Sequence, residues 1–70
     1  MTTPQTKILL LEQEILSYEN TVYLMGVRAR GARITDNKPL EDEAQKQIET
    51  CMKMIDFLNA EKEKVEGEKV

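Results

Sequence analysis

Apolar residues recur at alternating steps of three and four through the first half of the chain, and this period limits the fold more than any other feature. Residues at those steps return to one face of an α-helix and form a continuous stripe. The stripe comprises Ile8, Leu11, Ile15, Tyr18, Val22, Met25, Ala29 and Ala32. Thr3 followed by Pro4 is typical of a helix start, with a hydroxyl N-cap and a proline at the first helical position. We therefore predict a first helix over residues 4–31.

Turn-forming residues interrupt the helical period from Gly31 onward. Gly31 can close the first helix in the left-handed conformation, and Asp36 or Asn37 can cap the next helix. Pro39 lacks a backbone donor and disfavours helical angles at the residue before it, so we do not expect one continuous helix. The sequence therefore predicts a turn over residues 32–38.

A second stripe, with steps of four and three, follows the turn. Its members are Ala44, Ile48, Cys51, Ile55, Leu58, Lys62 and Val65. The sequence predicts a second helix over residues 39–64 and a frayed, charged tail over residues 65–70. Each helix would be about 40 Å long, because an α-helix rises 1.5 Å per residue. Similar lengths and a short connection predict an all-α fold, an antiparallel αα-hairpin in one domain of residues 1–70.

The first helix is more apolar than one partner helix requires. Further large apolar residues lie away from the two stripes: Leu9, Leu10, Leu16, Tyr23, Leu24 and Val27 in the first helix, Met54 and Phe57 in the second. A chain this small buries only about 60% of its unfolded surface and commonly completes its core by oligomerisation. We expect these residues to form an interface in a four-helix bundle or a larger coiled-coil homo-oligomer. The alternative is a docking groove for a different protein.

Composition argues against most catalytic and metal-dependent functions. The chain has one cysteine and no histidine, which leaves no internal disulfide, zinc site or imidazole acid–base catalyst. No glycine-rich phosphate loop of recognised spacing is present. Cys51 lies on the second stripe, where a thiol acts as a small hydrophobic side chain. We therefore predict a protein that is not an enzyme and that uses no metal or cofactor.

The early apolar run and the lone thiol bear on where the protein works. The run Ile8–Leu11 is far shorter than the core of a signal peptide or a transmembrane helix. A single cysteine suits a reducing compartment. We expect a cytoplasmic protein that does not contact a membrane.

One basic cluster lies where the first helix meets the turn. The net charge of the chain is −3, yet residues 26–38 carry +3 from four basic and one acidic side chain. The candidate anion ligands are Arg28, Arg30, Arg33, Thr35 and Lys38. Such residues can bind the phosphate of a small ligand such as a nucleotide. The simpler interpretation is helix capping, with the arginines paired to the acidic residues 41–43. The acidic balance of the chain argues against binding of duplex nucleic acid.

The helix–turn–helix layout and its apolar pattern resemble the small helical-hairpin co-chaperones of type III secretion, which implies a partner-binding function. The layout is also similar to that of the small sporulation phosphatases, whose second helix carries Ser-Gln-x-Leu-Asp. The corresponding stretch here is Gln45-Lys46-Gln47-Ile48-Glu49, which lacks the serine and the aspartate. This departure removes the basis for a phosphatase assignment.

Together these features predict a non-enzymatic protein–protein interaction module of the adaptor, co-chaperone or inhibitor type that acts as a helical homo-oligomer. Its expected partners are further copies of the chain and another protein. The alternative is a small-ligand-binding protein that captures a phosphate-bearing metabolite or nucleotide through the arginine cluster. In the first hypothesis the large apolar residues away from the stripes carry the function, and in the alternative the arginines carry it.

Overall fold

The structure, a computed structural model, describes residues 2–68 and contains two α-helices. Helix α1 spans Pro4–Ile34 and helix α2 spans Lys38–Glu68, each 31 residues long. They pack against each other as an elongated hairpin that measures 53 × 15 × 14 Å. The predicted all-α fold and its two-helix hairpin are confirmed.

Helix α1 begins as the sequence predicts. The Thr3 side-chain oxygen accepts a hydrogen bond from the Thr6 backbone N–H at 3.2 Å, and Pro4 occupies the first turn. This bond satisfies one of the amides that have no partner inside the helix. The chain therefore enters α1 with the fixed backbone angle that proline supplies.

The two predicted stripes face each other and form the core. Every member of both stripes is buried or half-buried. The residues buried nearest the turn are small: Ala29, Ala32 and Ala44 retain 3%, 2% and 1% of their exposure. Small side chains let two helix backbones approach closely, so the hairpin is held tightly beside the turn. We call the α1 stripe the inner seam.

The end of α1 corrects one prediction. The helix continues three residues past Gly31, which itself stays helical, and no described glycine has a positive φ. The left-handed residue is Asp36, with φ 57°. Its N–H donates to the Arg33 carbonyl at 3.2 Å, and the Asn37 N–H donates to the Ala32 carbonyl at 2.7 Å. This pair of bonds is a Schellman motif, which satisfies the last carbonyls of α1.

Helix α2 begins at Lys38, one residue earlier than predicted. The Asn37 side-chain oxygen accepts from the Leu40 N–H at 3.3 Å and caps the helix. Pro39 stands at the second helical position, where its missing donor costs nothing because that amide has no intrahelical partner. The predicted turn over residues 32–38 is therefore too long, and the connection is residues 35–37.

The predicted frayed tail is also wrong over residues 65–68, which are helical. Val65 is buried against α1, and the Lys7 ammonium lies 3.5 Å from a Glu68 carboxylate oxygen. These contacts link the end of α2 to the start of α1. The residue pattern of the tail alone does not reveal them, because the residues of α1 that take part are distant in sequence. Lys69 and Val70, the rest of the predicted tail, lie outside the described residues.

Over residues 2–68, neither helix combines the length and the apolar character that a membrane crossing requires.

The Schellman motif yields a stability prediction. Asp36→Gly is expected to raise the free energy of unfolding by up to about 1 kcal/mol, because glycine adopts a left-handed conformation without steric cost. Thr35→Gly is the matched control in the same turn. It should destabilise the hairpin, since the Thr35 hydroxyl donates to the Gly31 and Ala32 carbonyls. Urea unfolding followed by circular dichroism measures both. A destabilising Asp36→Gly would contradict the assignment of Asp36 as the residue that closes α1.

Candidate functional site

The face of α1 that points away from α2 carries most of the large apolar side chains left exposed. Those on α1 are Leu9, Leu10, Leu16, Tyr23, Leu24, Val27 and Ile34. Their exposed fractions run from 42% for Val27 to 85% for Ile34. Helix α1 is thus apolar on two faces, of which α2 covers one.

Five of these seven exposed residues follow a second helical period, and Leu10 and Leu24 lie beside it. Starting from Leu9, steps of four and three pass through eight positions that we call the outer seam: Leu9, Gln13, Leu16, Asn20, Tyr23, Val27, Arg30 and Ile34. The outer seam lies about 150° around the helix from the inner seam when both follow a heptad repeat. All eight residues are exposed. Their spacing is that of a coiled-coil contact face.

Ile34 belongs to the outer seam but was not among the interface residues predicted from the sequence. It lies seven residues after Val27, so the period alone could have identified it. The predicted first helix ends at Gly31, so the predicted interface does not extend to Ile34. The extension of α1 to Ile34 therefore lengthens the candidate surface by its most exposed apolar side chain.

Helix α2 contributes less to the exposed apolar surface. Phe57 and Met52 are exposed, at 55% and 51%, while Met54 is half-buried. By helical spacing, Met54 and Met52 lie on opposite flanks of the hairpin, and Phe57 lies on the Met54 side at the edge of the outward face. The face of α2 opposite its core stripe is polar and includes Lys46, Glu49, Lys53, Asp56 and Glu63. The predicted interface residues are therefore concentrated on α1.

The hairpin exposes more surface than a compact protein of its mass. Its accessible area is 5379 Å² for 8.1 kDa. The usual scaling of area with mass gives roughly 4,500 Å² for a folded monomer of this size. Within the described part of the chain, no large side chain is completely buried. A single helix–helix contact thus leaves the core one layer thick.

The structure does not bring the three predicted anion-binding arginines together. Because α1 is unbroken, Arg28 and Arg30 point about 160° apart around the helix. The Arg33 Nε donates to the Glu41 carboxylate at 2.7 Å, across the turn. Glu41 is only 14% exposed, so Arg33 is held by a partly desolvated partner.

The remaining candidate anion ligands are also engaged within the chain. The Lys38 ammonium lies 3.0 Å from Asp42 and 3.7 Å from Glu41. The hydrogen bond to Asp42 and the two negative charges raise the pKa of Lys38 above its usual value. The cavity beside these residues measures about 70 Å³ and is also lined by Asp36. That volume and those carboxylates suit helix capping better than a nucleotide, for which pockets are typically about 300 Å³ or more.

Metal-binding clusters of carboxylate and thiol side chains are absent from residues 2–68, where no three such side chains lie close enough to hold a metal ion. Cys51 is buried in the core stripe of α2, as the sequence predicts. A depression of about 370 Å³ lies at the end of the hairpin farthest from the turn, and its lining includes Lys7, Leu10, Glu61 and Glu68.

Comparison of the chain with protein families, curated proteins and solved structures finds no match.

The geometry of the turn predicts the response to phosphate. Millimolar pyrophosphate should shift the melting temperatures of the wild type and of Arg30→Glu/Arg33→Glu equally, because Arg33 is already paired with Glu41 and the Arg30 side chain extends back toward Gly26, away from the turn. Lys46→Glu/Lys53→Glu on α2 is the control for the same change in net charge. Thermal unfolding followed by circular dichroism provides the readout. A stabilisation seen in the wild type and the control, but lost in the arginine variant, would instead establish an anion site at the turn.

Proposed function

We propose that this protein is a non-enzymatic interaction module that works as a homo-oligomer of helical hairpins. The observation that carries the proposal is the second apolar face of α1, which α2 does not cover. An isolated exposed leucine needs no explanation, but seven large apolar side chains exposed along one helix are typical of an interaction site, even though Gln13, Asn20 and Arg30 lie among them. Oligomerisation is also the common route by which a chain of this size completes its core.

The energetic balance favours association. Full burial of a large apolar side chain contributes about 1.5–3 kcal/mol. The seven such side chains on the outer side of α1 are on average about three-fifths exposed. Covering them completely gains roughly 6–13 kcal/mol per copy. The loss of translational and rotational freedom costs about 4–15 kcal/mol per association event. Two copies that cover each other gain twice the single-copy amount, which favours a dimer over most of that range.

A dimer of hairpins has four helices, so the smallest assembly that we propose is a four-helix one. Its functional role would be to hold another macromolecule on the surface that self-association leaves free, as an adaptor, co-chaperone or inhibitor does. Capture of a nucleotide at the turn is the weaker candidate, because the basic residues there are either paired or directed apart.

Self-association has a direct test in light scattering coupled to gel filtration. The wild type at micromolar concentration is expected to elute with at least twice the mass of one chain. Leu16→Gln/Tyr23→Gln should elute as a monomer of unchanged helical content, because both side chains are exposed in the single hairpin. Phe57→Gln is the matched control, an exposed apolar residue on α2 replaced in the same way, and should keep the wild-type mass.

Two results would contradict the proposal. A wild type that is monomeric at these concentrations would exclude homo-oligomerisation and leave a different protein as the occupant of the α1 face. Loss of mass in Phe57→Gln, with Leu16→Gln/Tyr23→Gln unaffected, would move the interface from α1 to α2.

A further inference from the structure

The outer seam of α1 matches itself when it is paired with a copy running in the opposite direction. In an antiparallel coiled coil, seam residues face each other in layers whose residue numbers have a constant sum. A sum of 43 pairs Leu9 with Ile34 and Leu16 with Val27, so both layers are apolar. The same sum pairs Gln13 with Arg30, which makes a polar layer, and Asn20 with Tyr23, which places an amide beside a ring that carries a hydroxyl. Three of the four layers thus match like with like, and the fourth is mixed.

The parallel arrangement also matches apolar with apolar residues, but it brings identical charges together. It places each seam residue against the same residue of the second copy, which brings two Arg30 guanidinium groups together. Like charges in a contact between helices are unfavourable. In the antiparallel pairing, Arg30 faces the amide of Gln13, which can accept its hydrogen bonds.

The charges along α1 favour the same direction. The acidic residues Glu12, Glu14 and Glu19 lie in its first half, and Arg28, Arg30 and Arg33 lie in its second half. Antiparallel copies place each acidic half beside the basic half of the other copy. Among the described residues, Arg28, Arg30, Glu14 and Glu19 have no ion-pair partner within the hairpin. A second copy would provide opposite charges for these side chains.

Two glycines that the hairpin does not need flank the outer seam. A Cβ on Gly26 would meet only the end of the Arg30 side chain, at 3.9 Å, and one on Gly31 would meet nothing within 4 Å. Each glycine in a helix interior costs about 1 kcal/mol relative to alanine. Positions that flank the seam meet along its two edges, with sums of 41 on one edge and 45 on the other, so Gly31 lies beside Leu10 of the second copy and Gly26 lies beside Glu19. The missing side chains leave room there for the residues of the other copy.

We infer that a second copy of this chain docks on the outer seam with its α1 antiparallel, about a two-fold axis that passes between residues 21 and 22. The inference rests on the proposed self-association and specifies its surface, direction and register. The two turns then lie at opposite ends of the dimer. The arginine clusters of the two copies are consequently far apart and do not combine into one anion site.

Disulfide trapping tests the direction and the register together. Leu9→Cys and Ile34→Cys are made separately, each with Cys51→Ala so that the introduced thiol is the only one. Both positions are exposed in the hairpin, so neither change removes core packing. The variants are incubated alone and mixed in a glutathione redox buffer, in which glutathione disulfide accepts the electrons. Lys53→Cys, on the polar face of α2, is the control for random collisions.

The expected result is a disulfide-linked dimer in the mixture of Leu9→Cys and Ile34→Cys, with little in either variant alone or in the control. In the antiparallel register the two Leu9 positions lie about 37 Å apart, whereas a disulfide requires Cα atoms within about 7 Å. Efficient cross-linking of Leu9→Cys to itself would establish a parallel pairing and overturn the inference.

Failure of the inference is distinguishable from failure of the proposed function. If no pair cross-links above the Lys53→Cys level while light scattering still shows a dimer, the outer seam is not the contact and only the inference falls. If the wild type and the reduced variants are all monomers, both the inference and the proposed self-association fall.

Discussion

The packing of α1 against α2 along the inner seam is the interaction on which the rest of the molecule depends. It fixes the rotation of α1 about its own axis, and that rotation decides which residues point outward. Near the turn the contact is made by Ala29, Ala32 and Ala44, whose small side chains allow a close approach. The Schellman motif at Asp36 then returns the chain in three residues, so α2 covers α1 along its whole length.

One seam is enough to form the hairpin but not to cover α1. A helix with two apolar faces suits a middle layer, and in the proposed assembly a second copy packs on the face of α1 that α2 leaves open. The length of α1 makes the uncovered strip about as long as the covered one. Its end-to-end reversal of charge, from Glu12 to Arg33, then gives the strip a direction that a second copy can match.

The fold was predictable wherever a regular period controlled it, and less so where single residues did. Both core stripes and the N-cap at Thr3 follow from spacing and residue type alone. The end of α1 did not, because glycine usually closes a helix, whereas here Gly31 stays helical and Asp36 takes the left-handed conformation. The helical end of α2 packs on the start of α1 through Val65 and is paired there with Lys7, which is more than fifty residues away in sequence from Glu68. The directions of the arginines could not be predicted either, because they depend on whether α1 continues past Gly31. Since it does, the three arginines are not brought together around one ligand.

The central claim is that the outer face of α1 is covered in the native state by a further copy of the chain. The concentration dependence of the melting temperature tests this claim most directly, since folding coupled to association is stabilised by mass action. Scanning calorimetry over a roughly hundredfold range of protein concentration should show a melting temperature that rises steadily with concentration. A melting temperature that stays the same across that range would show that the single hairpin is the native unit, and would contradict the account.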